Sequence, residues 1–80
     1  MREDELKARV RQVVGDTLNV DPETVDDHSS PQTIAEWTSF NHLTLMAAAE
    51  EAFGMTLSME EMNSVKSVGD LTDLVRRHAG

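Results

Sequence analysis

Apolar residues recur at three- and four-residue steps in three segments of the chain, and nowhere do they alternate with polar residues as in a strand. Each segment therefore predicts an amphipathic helix with one buried stripe. The first helix spans residues 3–18, the second spans residues 39–53 and stops at Gly54, and the last begins at residue 68. The predicted buried positions are Leu6, Val10, Val13, Val14, Thr17 and Leu18 in the first helix, Leu45, Ala49 and Phe53 in the second, and Val68, Leu71, Leu74 and Val75 in the last.

The segment between the first two helices predicts a long loop that is fixed at a few points. Asn19 is a predicted left-handed C-cap, and "DPET" at 21–24 predicts a single further turn with Asp at its N-cap and Pro at its first position. Residues 26–36 are polar and show no period. We expect Ile34 and Trp37 to anchor this loop to the bundle, because long loops in compact domains are otherwise rare.

Capping signals complete the predicted architecture. Ser58 and Glu61 have the spacing of a capping box, which predicts a short third helix over residues 59–63. Ser67 and Asp70 repeat that spacing at the start of the last helix, which ends in the basic "RRH". The predicted fold is an all-α four-helix bundle with a short third helix and a long loop between helices 1 and 2.

Length and composition limit the function. With 80 residues and 39% apolar content, the chain predicts one domain over residues 1–80, too small to enclose an active-site cleft of its own. It contains no cysteine, so disulfides, thiolate nucleophiles and cysteine-ligated metals are excluded. No apolar run approaches the roughly 20 residues that span a bilayer, and the charged N-terminus lacks the apolar centre of a signal peptide. We expect a cytoplasmic protein without a membrane partner.

The charge of the chain is unevenly distributed. The net charge is -8, and the segment from Gln12 to Val65 holds ten acidic residues and no lysine or arginine. Such a surface repels phosphate backbones and anionic lipid, so nucleic-acid binding is disfavoured. It would speed encounter with a basic patch on a partner protein, although acidity also serves solubility alone.

The start of the second helix, "EWTSF", raises a question about Ser39. Either Thr38 or Ser39 suits the helix cap, since both residue types accept a hydrogen bond from a free backbone amide. Catalysis by Ser39 with His42 as base lacks a glycine-rich turn and an oxyanion hole. His28, His42 and His78 do not have metal-ligand spacing, so we expect solvated surface histidines and no metal site.

The whole chain from residue 3 to residue 77 resembles free-standing acyl carrier proteins. The resemblance rests on "VVGDTLNVDPETV", on "WTSFNHLTLMAAAEEAFGM" and on "SVGDLTDLV", which occur in the order and spacing of that family. It implies that Ser39 receives a 4'-phosphopantetheine arm from coenzyme A through a phosphopantetheinyl transferase. The terminal thiol of the arm would then hold acyl groups as thioesters, which suits a chain without cysteine.

The resemblance also implies that partner enzymes recognise the second helix and the loop before it. Phe40, Leu43, Met46 and Ala47 widen the apolar face of that helix, so part of it is left for a partner or a ligand. Thr38 and Phe40 stand where the family usually has aspartate and leucine. The residues expected to contact partners or cargo are Trp37, Thr38, Phe40, Leu43, Met46, Glu50, Glu51 and Met62.

Three of these expectations leave structural alternatives open. Trp37 suits a loop anchor as well as a contact with cargo. Met46 and Met62 suit ordinary core as well as the border of an acyl cleft. Ala49 would either bring helices close together or leave room for cargo.

The predicted function is that of a discrete acyl carrier protein, not an enzyme. As a monomer, it would present thioester intermediates to acyl-loading and to condensing or transferring enzymes that carry basic docking patches, in a fatty-acid, polyketide or related pathway. A peptidyl carrier is disfavoured because the glycine-rich sequence common before its serine is absent. The alternative is an unmodified carrier-like helical domain that binds partner proteins.

Overall fold

The computed structural model describes residues 2–79, and the elements within this range are all helical. Helix α1 spans Glu3–Leu18, α2 spans Ser39–Phe53, α3 spans Met59–Ser64 and α4 spans Val68–Ala79. A single 3₁₀ turn at Pro22–Thr24 follows α1. The predicted all-α fold with four helices is therefore confirmed, and α3 is one residue longer than predicted.

The predicted helix ends form as expected from their caps. Asn19 adopts a left-handed conformation with φ of 59°, and Gly54 ends α2 in the same way with φ of 61°. Ser58 and Glu61 form a complete capping box at α3, because each side chain accepts a hydrogen bond from the other residue's amide. At α4, the Asp70 amide donates to the Ser67 hydroxyl oxygen at 3.2 Å.

The core is built from the predicted stripes of α1 and α4 and from the inner face of α2. Helix α1 packs against both α2 and α4. Val13, Thr17 and Phe53 are half-buried at the edges of these stripes. The buried residues of the three long helices are Leu6, Val10, Val14, Leu18, Leu45, Met46, Ala49, Val68, Leu71, Leu74 and Val75.

The long loop is fixed to the N-terminus of α4 as well as to the core. Trp37 is buried and Ile34 is half-buried against the core, so both predicted anchors are confirmed. The carbonyl oxygens of Asp27 and Ser29 each accept a hydrogen bond of 2.9 Å from the first amides of α4. Ser29 is itself buried, and no pattern in the sequence predicted its burial. The loop thus caps α4 and leads the chain to the start of α2 along a fixed path.

Gly15 lies inside α1, where the sequence marks it only as a weak helix former. A Cβ atom at this position would lie 2.6 Å from Pro22 Cγ and 2.8 Å from the Val20 carbonyl oxygen. The chain after α1 folds back so tightly because the Gly15 carbonyl oxygen accepts hydrogen bonds from the amides of Asn19 and Val20. Glycine is therefore required here by the close approach of the following turn.

Gly15→Ala is accordingly expected to lower the free energy of unfolding by about 1–3 kcal/mol, although alanine is the better helix former. Urea denaturation followed by circular dichroism measures this change. Ala8→Gly, on an exposed position of α1, calibrates the intrinsic helix preference at about 1 kcal/mol or less. A gain in stability for Gly15→Ala would show that the turn after α1 can shift to accommodate the added methyl group without loss of free energy.

An ion pair joins the two ends of the chain, and a second contact links the end of α4 to α3. Arg76 binds Glu3 at 2.7 Å and also binds Asp73, and the His78 Nε2 atom lies 2.8 Å from Glu61 Oε2. The Arg76 hydrogen bonds lower the pKa of Glu3. The pKa of Glu61 is lowered mainly by the hydrogen bond from the Ser58 amide and further by His78.

The lowered pKa of Glu61 predicts a pH-dependent contribution to stability. The ionised carboxylate stabilises the fold above its ordinary pKa of 4.5, and this contribution is lost as the pH falls through the lower pKa of the folded state. Melting temperatures of wild type and Glu61→Gln should differ at neutral pH and converge on acidification, since glutamine keeps a neutral acceptor. Glu60→Gln, an exposed neighbour on α3, should show less change with pH. If the difference in melting temperature between wild type and Glu61→Gln stayed constant as the pH fell, this account would be contradicted.

Candidate functional site

Ser39 is the first residue of α2, and its side chain is exposed. The helix is capped by Thr38, whose hydroxyl oxygen accepts a hydrogen bond from the Asn41 amide at 3.2 Å. Of the two cap candidates in the sequence, the structure thus assigns Thr38. Among residues 2–79 the Ser39 hydroxyl has no hydrogen-bond partner, so it is free for another role.

The electrostatic surroundings of Ser39 favour an anion. The first amides of a helix have no acceptor within the helix, and the helix dipole adds positive potential at this end. The first turn of α2 contains no acidic residue. The Glu36 carbonyl oxygen accepts hydrogen bonds from the Thr38 amide and from the Asn41 side chain, which holds the chain in place before the helix. A phosphate ester on Ser39 would therefore be stabilised.

His42 joins three parts of the molecule beneath Ser39. Its Nδ1 atom accepts a hydrogen bond of 3.0 Å from the Trp37 indole nitrogen, so the neutral ring donates from Nε2 to the Met62 carbonyl oxygen at 2.9 Å. The two rings are stacked, with centroids 6.1 Å apart and an interplanar angle of 16°. We call this chain of contacts the His42 bridge.

The His42 bridge corrects one prediction and excludes one mechanism. His42 is half-buried and bonded at both nitrogens, so the expectation of a solvated surface histidine was wrong for this residue. Neither nitrogen is left to take a proton from Ser39, and the serine has no catalytic base there. His28 and His78 are both exposed as expected, and the His78 ring also contacts Glu61.

An open groove of about 490 Å³ lies beside Ser39, between the loop and the ends of α2 and α3. Its wall is mixed in character. Polar atoms come from Gln32, Thr38, Asn63 and Lys66, and apolar ones from Leu43 and Val65. The exposed hydroxyl, the free helix amides and this groove together fit a flexible arm that is attached to Ser39 through a phosphate.

Comparison with known proteins agrees with this geometry. A family profile described as "Phosphopantetheine attachment site" matches residues 8–75. The chain belongs to this family. It is a carrier protein with a covalently attached 4'-phosphopantetheine cofactor, not an enzyme.

Several relatives of this carrier are named acyl carrier protein. That of Thermosynechococcus vestitus is 33% identical over 75 residues, which cover 94% of this chain and 93% of the relative. That of Petrotoga mobilis is 32% identical and covers 94% and 88%. That of Rubrobacter xylanophilus is 30% identical over 78 residues and covers 98% and 96%. The carrier is therefore similar to these proteins over nearly its whole length.

The outer face of α2 leaves apolar side chains uncovered near Ser39. Phe40 is 78% exposed and Leu43 is 55% exposed, and Ala47 lies exposed one turn further along. These residues are spaced so that they share one face of the helix. Part of the apolar face is thus exposed, and its use by a partner or a ligand stays a prediction.

Other predicted contact residues of the carrier have structural roles instead. Met46 is fully buried, so the core alternative holds for it and it offers no contact surface. Trp37 is 3% exposed and anchors the loop, but it also lines the groove beside Ser39, so its contact with cargo stays a prediction. Ala49 is also fully buried, which places it in the packed core. Met62 is half-buried against the core.

The two glutamates of α2 differ in what their side chains contact. Glu50 is half-buried, and its Oε2 atom accepts a hydrogen bond of 2.8 Å from the Leu57 amide. It therefore fixes the turn after α2, a role that the sequence did not indicate. Glu51 is exposed. Of the two acids expected to meet partners, only Glu51 has its carboxylate fully available.

Within residues 2–79, no helix is both long and apolar enough to cross a membrane.

Proposed function

We propose that Ser39 is the residue of this carrier that receives the phosphopantetheine arm. The observation that carries the proposal is the exposed Ser39 hydroxyl, which has no hydrogen-bond partner in the described chain and stands at the N-terminus of α2. In the reaction, Ser39 Oγ forms a bond to phosphorus and the pyrophosphate bond of coenzyme A breaks. Adenosine 3',5'-bisphosphate leaves, and the hydroxyl proton passes to the transferase.

The carrier is proposed to hold acyl or related intermediates as thioesters on the thiol that the arm supplies. The name that its relatives bear, acyl carrier protein, supports this cargo. The chain itself provides attachment, a fixed position for the arm and a surface for docking. The reactions on the cargo would belong to partner enzymes of a fatty-acid, polyketide or related pathway.

The docking surface is proposed to be the exposed face of α2 together with Thr38. Phe40 and Leu43 offer apolar contacts, and Glu51 offers charge to a basic patch on the partner. Because residues 12–65 contain ten acidic residues and no lysine or arginine, the long-range field of this surface favours cationic partners, whereas the first amides of α2 favour an anion only at Ser39 itself. A monomer in the cytoplasm would meet these enzymes one at a time.

The test is to incubate the protein with coenzyme A, magnesium ions and a broad-specificity phosphopantetheinyl transferase, and to measure intact mass. We expect a gain of one phosphopantetheine unit, located on the peptide that contains Ser39. A gain located on another serine would contradict the assignment to Ser39. No gain with several transferases would favour the alternative, an unmodified domain that binds partners through Phe40 and its neighbours.

A further inference from the structure

The interior of the bundle beside α2 is filled by side chains. Leu45, Met46 and Ala49 of α2 and Leu71 of α4 have no exposed surface. None of these residues lines the groove at Ser39. The same holds for two smaller hollows, one lined by Val20 and Ile34 at the loop and one lined by Phe53 at the far end of α2. An alkyl chain could enter this region only if packed side chains moved, which is costly in a dense core.

The His42 bridge closes the way from the groove to this interior. Trp37 is buried at the end of the loop, and His42 links it to the Met62 carbonyl oxygen at the end of α3. Parting α2 from α3 would break the hydrogen bond to the Met62 carbonyl oxygen. Moving α2 away from the loop would also break the bond from the indole. Because unpaired buried polar groups are costly, the bridge resists this opening.

The groove outside the bridge has a different chemistry. It is open to solvent and mixed in character, since Gln32, Asn63 and Lys66 offer amide and ammonium groups while Leu43 and Val65 offer apolar surface. Lys66 is the first lysine or arginine after Arg11 in the chain. The polar groups can bond to carbonyl, amide or carboxylate groups near the arm, and because the groove is open to solvent it would bury little of a long alkyl chain.

We propose that this carrier displays its cargo in the surface groove and is suited to short or polar acyl groups, because the His42 bridge keeps long alkyl chains out of the bundle. His42 is then a positioning residue that decides the class of cargo. This inference rests on the proposed attachment at Ser39.

The first experiment loads Ser39 with arms that bear acetyl, butyryl, octanoyl or dodecanoyl groups, and intact mass confirms each product. Cleavage of each thioester by hydroxylamine is then compared with that of the matching acyl-coenzyme A. We expect relative rates for octanoyl and butyryl forms within about twofold, since neither chain is hidden. Protection of the octanoyl form by about tenfold or more would overturn the proposal.

Melting temperatures give a second readout for the same proteins. We expect the octanoyl form to melt within about 2 °C of the form with a free thiol, because no apolar surface is buried. A rise of more than about 5 °C would show that the chain enters the core and would overturn the proposal.

Variants test the part played by the bridge. His42→Ala removes both hydrogen bonds, and we expect slower cleavage of its octanoyl form by about threefold or more. Trp37→Phe keeps an aromatic ring and loses only the hydrogen-bond donor. Its octanoyl thioester should therefore be less protected from cleavage than that of His42→Ala. His28→Ala is the matched control, because its ring is exposed in the loop away from the bridge, and it should behave as wild type. Unchanged cleavage in both bridge variants would overturn the role of His42.

Failure of the attachment at Ser39 is distinguishable from failure of this inference. If the transferase adds no mass, Ser39→Cys provides the only cysteine of the chain and takes an arm of pantetheine length through a disulfide. An octyl group on this arm should leave the melting temperature unchanged relative to the bare arm. A rise of more than about 5 °C would again overturn the proposal.

Discussion

The Ser39→Ala variant is expected to gain no mass under conditions in which the wild-type carrier takes up one phosphopantetheine unit. The reason is that every other serine hydroxyl has a partner in the structure. Ser29 and Ser30 bond within the loop, Ser58 and Ser67 cap α3 and α4, and Ser64 donates to a carbonyl oxygen. Among the serines of the described chain, only Ser39 is both exposed and without such a partner.

Ser58→Ala is the matched control for this prediction. Ser58 also stands exposed at the start of a helix, but its oxygen accepts a hydrogen bond from the Glu61 amide. We expect this variant to be modified as the wild type is, and to lose about 1 kcal/mol of stability with its cap. Ser39→Ala should keep the wild-type circular dichroism because Thr38 provides the cap. A mass gain by Ser39→Ala would refute the assignment.

Trp37→Ala is expected to lower the free energy of unfolding by about 3–5 kcal/mol, the range for a large aromatic residue removed from a core. The indole is 3% exposed, and its loss leaves His42 Nδ1 without its donor. The loop before α2 would also lose its main anchor. Urea denaturation followed by far-ultraviolet circular dichroism measures the change without relying on the tryptophan signal.

Phe40→Ala is the matched control for Trp37→Ala, since it removes an aromatic side chain three residues further along. Phe40 is 78% exposed, so its loss should change stability by no more than about 0.5 kcal/mol. Of the two aromatic residues near Ser39, one is therefore expected to contribute to stability and the other only to surface contacts. A cost for Trp37→Ala below about 1 kcal/mol would mean that the loop is held by other contacts.

Neighbouring residues at the start of α2 have different structural roles, and together they leave the attachment hydroxyl free. Thr38 caps α2 through its hydroxyl oxygen. Trp37 and His42 are hydrogen-bonded to each other and fix this segment to the core. Ser39 lies between them and keeps its hydroxyl free. A small domain can thus offer a reactive group at a defined place without building a catalytic pocket. The exposed Phe40 beside it marks the surface that a partner would cover.

The sequence by itself determined the helices, their ends and the all-α class of this protein. Helical period, capping boxes and left-handed caps act over a few neighbouring residues, so a short window of sequence contains the information. Asn19, Gly54 and Ser58 act in the structure as the sequence predicted. The order of these elements along the chain also indicated the carrier family and the importance of Ser39.

Only the tertiary structure decided which residues of α2 are covered. Met46 and Phe40 are both apolar residues on one helix, yet the first is buried by neighbouring elements and the second faces solvent. The pairing of His42 with Trp37 and the Met62 carbonyl oxygen, and the need for glycine at position 15, depend on segments that meet only after folding. Burial and long-range hydrogen bonds arise only when segments distant in sequence pack together, so no local sequence pattern encodes them.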